Sequence, residues 1–269
     1  MLNISSNVQL IILAEVSFVV VPVVTASITA LVGRQVTRQM INNFGTKSQL
    51  FLGGLGVVIH ELAHALFVVI FGHHLTKLKL LDLSYQESGN LGSVENSWDR
   101  RKVWQSLGNF FIGIAPYYAG SLILAGLQSW LLQDPLEFSN FTNVSSWSEV
   151  WYESKSLIGN DFAALFSARW WAVLLYLALL LMISITVYNL SGADLKTVIR
   201  GLFPWSLVVL VIAGILLVLQ QQDLILNWSL KFTLASILFM LRGLLYLALG
   251  MLLLLPFSLR KQRISSKHF

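Results

Sequence analysis

The chain has 269 residues, of which 56% are hydrophobic and only 12% charged, with five histidines, no cysteine and a formal net charge of +5. A charged share about half that of a soluble domain leaves too little polar surface to cover a water-soluble globule, and without cysteine the chain has neither disulfides nor thiolate metal ligands. The positive charge does not point to nucleic acid, because Lys and Arg sit beside apolar blocks and in the tail 260–269, where topology signals belong.

Six apolar blocks approach the roughly 20 residues that a helix needs to cross the hydrocarbon core. They predict spans over about 8–32, 50–72, 107–132, 169–191, 203–220 and 232–256, all within one membrane domain, 1–269. The first block follows MLNISSN, which lacks Lys and Arg, and it is longer than a signal-peptide core. It therefore reads as a span, with Glu15 in its middle. The second block, FLGGLGVVIHELAHALFVVIFG, holds His60, Glu61 and His64. In the loop of about 73–106, Lys77, Lys79, Asp82 and Ser84 partly alternate with Leu78, Leu80, Leu83 and Tyr85. That period of two predicts a small membrane-associated β-hairpin turning near Gly89 and Asn90. The third block contains GIAPYYAG, and Gly53, Gly54, Gly56, Gly108, Gly113 and Gly120 would permit close helix contacts. Next comes an acidic loop, 133–168, with Asp134, Glu137, Glu149, Glu153 and Asp161, expected to lie along the outer membrane surface. Trp130, Trp147, Trp151, Trp170 and Trp171 around it suit an interfacial belt. The fourth block ends in YNLSGADLKTVIRG, and the sixth carries Arg242.

Cationic residues orient the spans. With the amino terminus inside, Lys77, Lys79, Arg100, Arg101, Lys102, Lys196, Arg200, Arg260, Lys261, Arg263 and Lys267 are cytoplasmic, against Arg34, Arg38, Lys47, Lys155 and Lys231 outside. The expected product is a multi-pass protein of the cell membrane with both termini in the cytoplasm, its partner the lipid bilayer.

Ionisable residues inside a span are costly and usually mark function. Helical spacing puts His60 and His64 on one face, four residues apart, so that two imidazoles can reach one Zn²⁺. Glu61 projects about 100° around the helix, where a general base for metal-activated water should stand. A hydrolytic zinc site generally takes three protein ligands. His73 and His74 lie about 13 Å of helical rise beyond His64 and are poor candidates. Glu15 has no accompanying motif and could instead pair with Arg242. Asp194, near Asn189, Ser191 and Gly192, is the better candidate, with an ordinary solvated acid or helix cap as the competing reading.

With HELAH inside a span, a hairpin-like loop after it, GIAPYYAG in the next span and a carboxylate at the end of the following one, the chain resembles the site-2 protease family of intramembrane zinc metalloproteases. The resemblance covers about 50–200 and leaves the spans at 8–32, 203–220 and 232–256 as accessories. It implies an all-α polytopic fold of about six transmembrane helices around a three-helix metalloprotease core. His60, His64 and Asp194 would be the zinc ligands, Glu61 the catalytic base and Asn189 a substrate-binding residue. The implied activity is zinc-dependent endopeptidase cleavage of a transmembrane protein or peptide substrate. Ala63 stands where the family usually has glycine, and Asp194-Leu195 where it typically has Asp-Gly. The alternative function is a non-hydrolytic membrane metal-binding or transport protein.

Overall fold

In hydrocarbon the backbone finds no water, so an apolar chain closes its hydrogen bonds within helices. The computed structural model describes residues 4–83, 91–133 and 146–265, and helices dominate it. The first long helix runs through α1 (Ile4–Glu15), a π-helical turn (Val16–Val20) and α2 (Val21–Phe44). A single turn, α3 (Ser48–Phe51), precedes α4 (Gly54–Ile70), which carries the HELAH sequence. Strands β1 (His74–Lys79) and β2 (Ser93–Ser97) follow, then α5 (Val103–Leu132), α6 (Trp147–Ser167), α7 (Trp170–Val187), α8 (Gly192–Val218) and α9 (Gln222–Ser265).

Among the described residues, five helical segments are long and apolar enough to cross a membrane: Ser6–Phe44, Val103–Leu132, Trp170–Val187, Gly192–Val218 and Gln222–Pro256. The protein is thus of the multi-pass, helical membrane type. The span expected at 50–72 holds a helix of only 17 residues, α4, because Leu52 and Gly53 separate it from α3. Hydropathy locates the apolar middle of a span but not the polar turns that extend it. For that reason α8 begins at Gly192 rather than near 203, and α9 at Gln222 rather than near 232.

The expected hairpin is present as an antiparallel pair with an irregularity between Leu75 and Lys77. Its turn at Gly89 and Asn90, like Ser84 and Tyr85, lies outside the described residues. The hairpin starts where Gly72 takes a left-handed φ of 67° and ends α4, a position glycine occupies without steric penalty.

Helix α5 is the hub, packing on α4, α7 and α8. Its closest approach is to α8. A Cβ on Gly113 would lie 2.7 Å from the Asp194 carbonyl, and one on Gly201 would overlap the Phe110 backbone. Glycines thus let two membrane helices touch backbone to backbone. Gly56 does the same against Ile183 and Thr186 of α7. Around α5 lies a core that includes Phe110, Tyr117, Leu124, Leu180, Ile183 and Tyr188.

The stretch 133–168, expected as a surface loop, forms α6 over its second half, started by the Ser146 side chain accepting from the Glu149 N–H. Trp147, Trp151 and Trp170 are exposed, as a belt requires, but Asp161 is buried. Arg242 of α9 grips it through Nε at 2.7 Å and through a second nitrogen, NH2, at 2.8 Å. Gln128 donates to the same carboxylate, while the Tyr176 and Tyr246 hydroxyls donate to the Gln128 carbonyl. Arg242 therefore pairs with Asp161 and not with Glu15, which instead accepts from the Ser206 hydroxyl at 2.8 Å. Removing one partner from a buried ion pair strands the other charge. Asp161→Ala is expected to destabilise the protein by about 3–5 kcal/mol, measured by reversible unfolding in detergent, whereas Asp161→Leu with Arg242→Met should recover most of that loss.

Candidate metal centre

The centre is assembled where α4, α5, α7 and the start of α8 meet. His60 and His64 lie one turn apart on α4 and are both buried. His60 Nδ1 lies 3.0 Å from the Val187 carbonyl and His64 Nδ1 lies 2.8 Å from the Ile112 carbonyl. A carbonyl only accepts, so each Nδ1 carries the hydrogen and each Nε2 presents a lone pair. The two Nε2 atoms are 3.1 Å apart. Asp194 completes the group, its Oδ1 3.1 Å from His64 Nε2 and its Oδ2 3.6 Å from His60 Nε2.

With both rings neutral, this donor set brings two lone pairs and a carboxylate together, an arrangement that repels itself unless a proton or a metal ion lies among them. A tetrahedral ion with ligands at about 2.1 Å holds its ligand atoms roughly 3.4 Å apart. The shortest separations, 3.1 Å between the imidazoles and 3.1 and 3.6 Å to the two carboxylate oxygens, lie near that value, and one ligand atom from each residue can be chosen so that all lie within 4.8 Å of one another. The residues fit a metal ion of this size, and the group is well buried apart from Asp194, which is partly exposed.

Local structure explains how Asp194 arrives there. It occupies the first turn of α8 rather than the end of α7, in a capping box with Ser191. Ser191 N–H donates to Asp194 Oδ2 at 2.6 Å, and Asp194 N–H donates to the Ser191 hydroxyl at 3.2 Å. The Ser191 N–H is thereby drawn away from Val187, whose carbonyl is left to accept from His60. The cap and the His60–His64–Asp194 group form one network, so the residue that caps α8 also stands where it could hold a metal ion.

Glu61 is buried beside the pair and lines a cavity of about 420 Å³ together with His60, His64, Asp194 and Thr197. Asn189 lines it too. The opposite wall is the hairpin: Gly92, Ser93, Val94 and Asn96 face the cavity. A Cβ on Gly92 would fall 2.7 Å from Glu61 Cγ, so the strand backbone lies directly against the glutamate. Sequence reasoning passed over Gly92, Ser93 and Asn96, since only pairing of the strands brings them here. His73 is bonded to the Gln105 carbonyl and the Asn96 side chain and stacks on Trp98, which uses both its nitrogens. His74 is exposed on β1.

Because Gly113 holds α8 against α5 at Asp194, Gly113→Ala is expected to cost about 1–3 kcal/mol of stability through overpacking and to weaken metal binding. Gly126→Ala on the same helix, facing open space, should do neither. Unfolding curves and chelator competition measure both effects.

No family model, curated protein or solved structure matches this chain. The site is therefore read from its own geometry.

Proposed function

We propose that the protein is a zinc-dependent intramembrane endopeptidase of the site-2 protease type, with α4, α5 and α7 as its core. The observation that carries this reading is the convergence of His60, His64 and Asp194 beside Glu61, in a cavity of mixed polar and apolar lining within an apolar helical bundle. His60, His64 and Asp194 would hold the ion. Zinc, when bound, supplies Lewis acidity that polarises a carbonyl and brings the pKa of water towards 7.

Everything else is the work of the chain's own groups. Val187 and Ile112 orient the two imidazoles, which keeps their Nε2 lone pairs directed inward. Glu61 takes the proton from the attacking water and returns it to the leaving amine. A peptide bond inside a substrate helix is shielded by its own hydrogen bonds, so the substrate must unwind locally before attack. The backbone at Gly92 and Ser93 would steady the extended segment by main-chain hydrogen bonds. Asn189, on the cavity wall, would contact it. With the orientation given by loop charges, the cavity opens to the cytoplasm.

A metal carrier would need ligands spread along a path through the bilayer. Among the described residues, His60, His64 and Asp194 form the one group of three or more such side chains. The test uses zinc-loaded protein in phosphatidylcholine vesicles with a panel of single-span peptides carrying helix-weakening Asn, Gly or Pro residues. Mass spectrometry should find peptide cleavage inside or beside the span. Zinc flux across the vesicle wall with every peptide intact would instead establish the carrier.

A further inference from the structure

The Ile112 carbonyl lies in the interior of α5, where it would ordinarily accept a hydrogen bond from the N–H four residues on. That residue is Pro116, which has no N–H and whose ring crowds the carbonyl four residues earlier. The carbonyl is thus released from the helix ladder, and His64 Nδ1 lies 2.8 Å from it. We propose that Pro116 is a positioning residue for the metal centre: by freeing Ile112, it fixes the ring orientation and tautomer of His64 so that Nε2 faces the ligand cluster.

A second proline in this chain stands in a related setting, beside the π-helical turn Val16–Val20. Pro22 stands four residues after Phe18, and the Phe18 carbonyl accepts from the Trp205 indole N–H at 2.8 Å. In both places a side chain from a neighbouring helix donates to a carbonyl four residues before a proline. At Pro22 the result is a helix contact. At Pro116 the donor is an imidazole whose other nitrogen lies 3.1 Å from both the His60 Nε2 and the Asp194 carboxylate. Pro116 itself is buried and does not line the metal-site cavity, so its influence runs through the Ile112 carbonyl. This inference rests on the metal-site reading of His60, His64 and Asp194.

Alanine at 116 restores an N–H, draws the Ile112 carbonyl back along the helix axis and leaves His64 Nδ1 to compete for it. Loss of a hydrogen bond to a ligating histidine typically weakens metal affinity about 10–100-fold. That loss is the result expected for Pro116→Ala, read as the Zn²⁺ dissociation constant of the detergent-purified protein by competition with a chromophoric chelator. Pro22→Ala, which alters a membrane-helix proline away from the ligands, should bind Zn²⁺ as wild type does. The decisive variant places the α-hydroxy analogue of alanine at 116 by nonsense suppression. The ester lacks both the ring and the N–H, so its affinity should lie nearer to wild type than to Pro116→Ala. Wild-type affinity in Pro116→Ala overturns the proposal, and so does an ester variant as weak as Pro116→Ala. Should Pro116→Ala fail to fold, the ester variant decides alone: near-wild-type affinity supports the role of the missing N–H, and lost affinity overturns it. A wild-type protein that takes up no Zn²⁺ overturns the metal reading instead, which keeps the two failures distinct.

Discussion

Glu61→Gln is expected to suppress peptide cleavage while leaving zinc bound. The substitution keeps the volume and leaves His60, His64 and Asp194 untouched, so the ligand cluster stays as it is. It removes the carboxylate that, among the described residues lining the cavity, stands beside the cluster and can receive a proton from water. General-base catalysis contributes about 10²–10⁴-fold, and a loss of that size should appear in single-turnover cleavage of a reconstituted transmembrane peptide. Zinc content, measured on the same preparation by atomic emission, should remain stoichiometric. Undiminished cleavage in Glu61→Gln would remove the glutamate from the mechanism, and unaltered zinc transport in it would favour the carrier.

The second large effect concerns Asp194, which has two duties that one substitution can separate. Asp194→Asn keeps a side-chain oxygen for the Ser191 N–H, so the start of α8 is preserved, but it removes the charge that faces both imidazoles. Zinc affinity should then fall by more than the roughly 10–100-fold lost with a supporting hydrogen bond, close to the result for His64→Ala. Asp194→Ala removes the cap as well and should add the ~1 kcal/mol destabilisation typical of a lost N-terminal cap. Stoichiometric zinc with normal cleavage in Asp194→Asn would sink the assignment of this residue as third ligand.

How much of this could be read from the sequence depends on how local each feature is. HELAH was legible because a spacing of four puts two histidines on one face of any helix, whatever surrounds it. The hairpin was legible from its alternation, although its tight apposition to Glu61 at Gly92 was not. Asp194 was found as a carboxylate near a helix end but placed on the wrong side of the break. The pattern Ser191-Gly192-Ala193-Asp194 marks a helix start, and would have moved it into the first turn of α8. Asp161 was read as a surface acid, since hydropathy registers its own polarity and cannot register that Arg242 and Gln128 come to meet it. The carbonyls of Val187 and Ile112 were beyond reach because a backbone acceptor has no letter of its own. Only Pro116 hinted at one of them.

Helix α4 has one further property with a physical consequence. At 17 residues it is about 25 Å long, some 5 Å short of a typical hydrocarbon core of about 30 Å. Its neighbours α5 and α8 have 30 and 27 residues and are under no such restriction. A bilayer meeting unequal helices thins beside the short one, and here the short one carries the ligand pair and the base. On the proposed reading, such thinning over the site would shorten the path for water and lower the barrier to drawing a substrate helix out of register. Acyl chain length then becomes a control variable: the protein should work faster in thin bilayers than in thick ones, with no change in any residue.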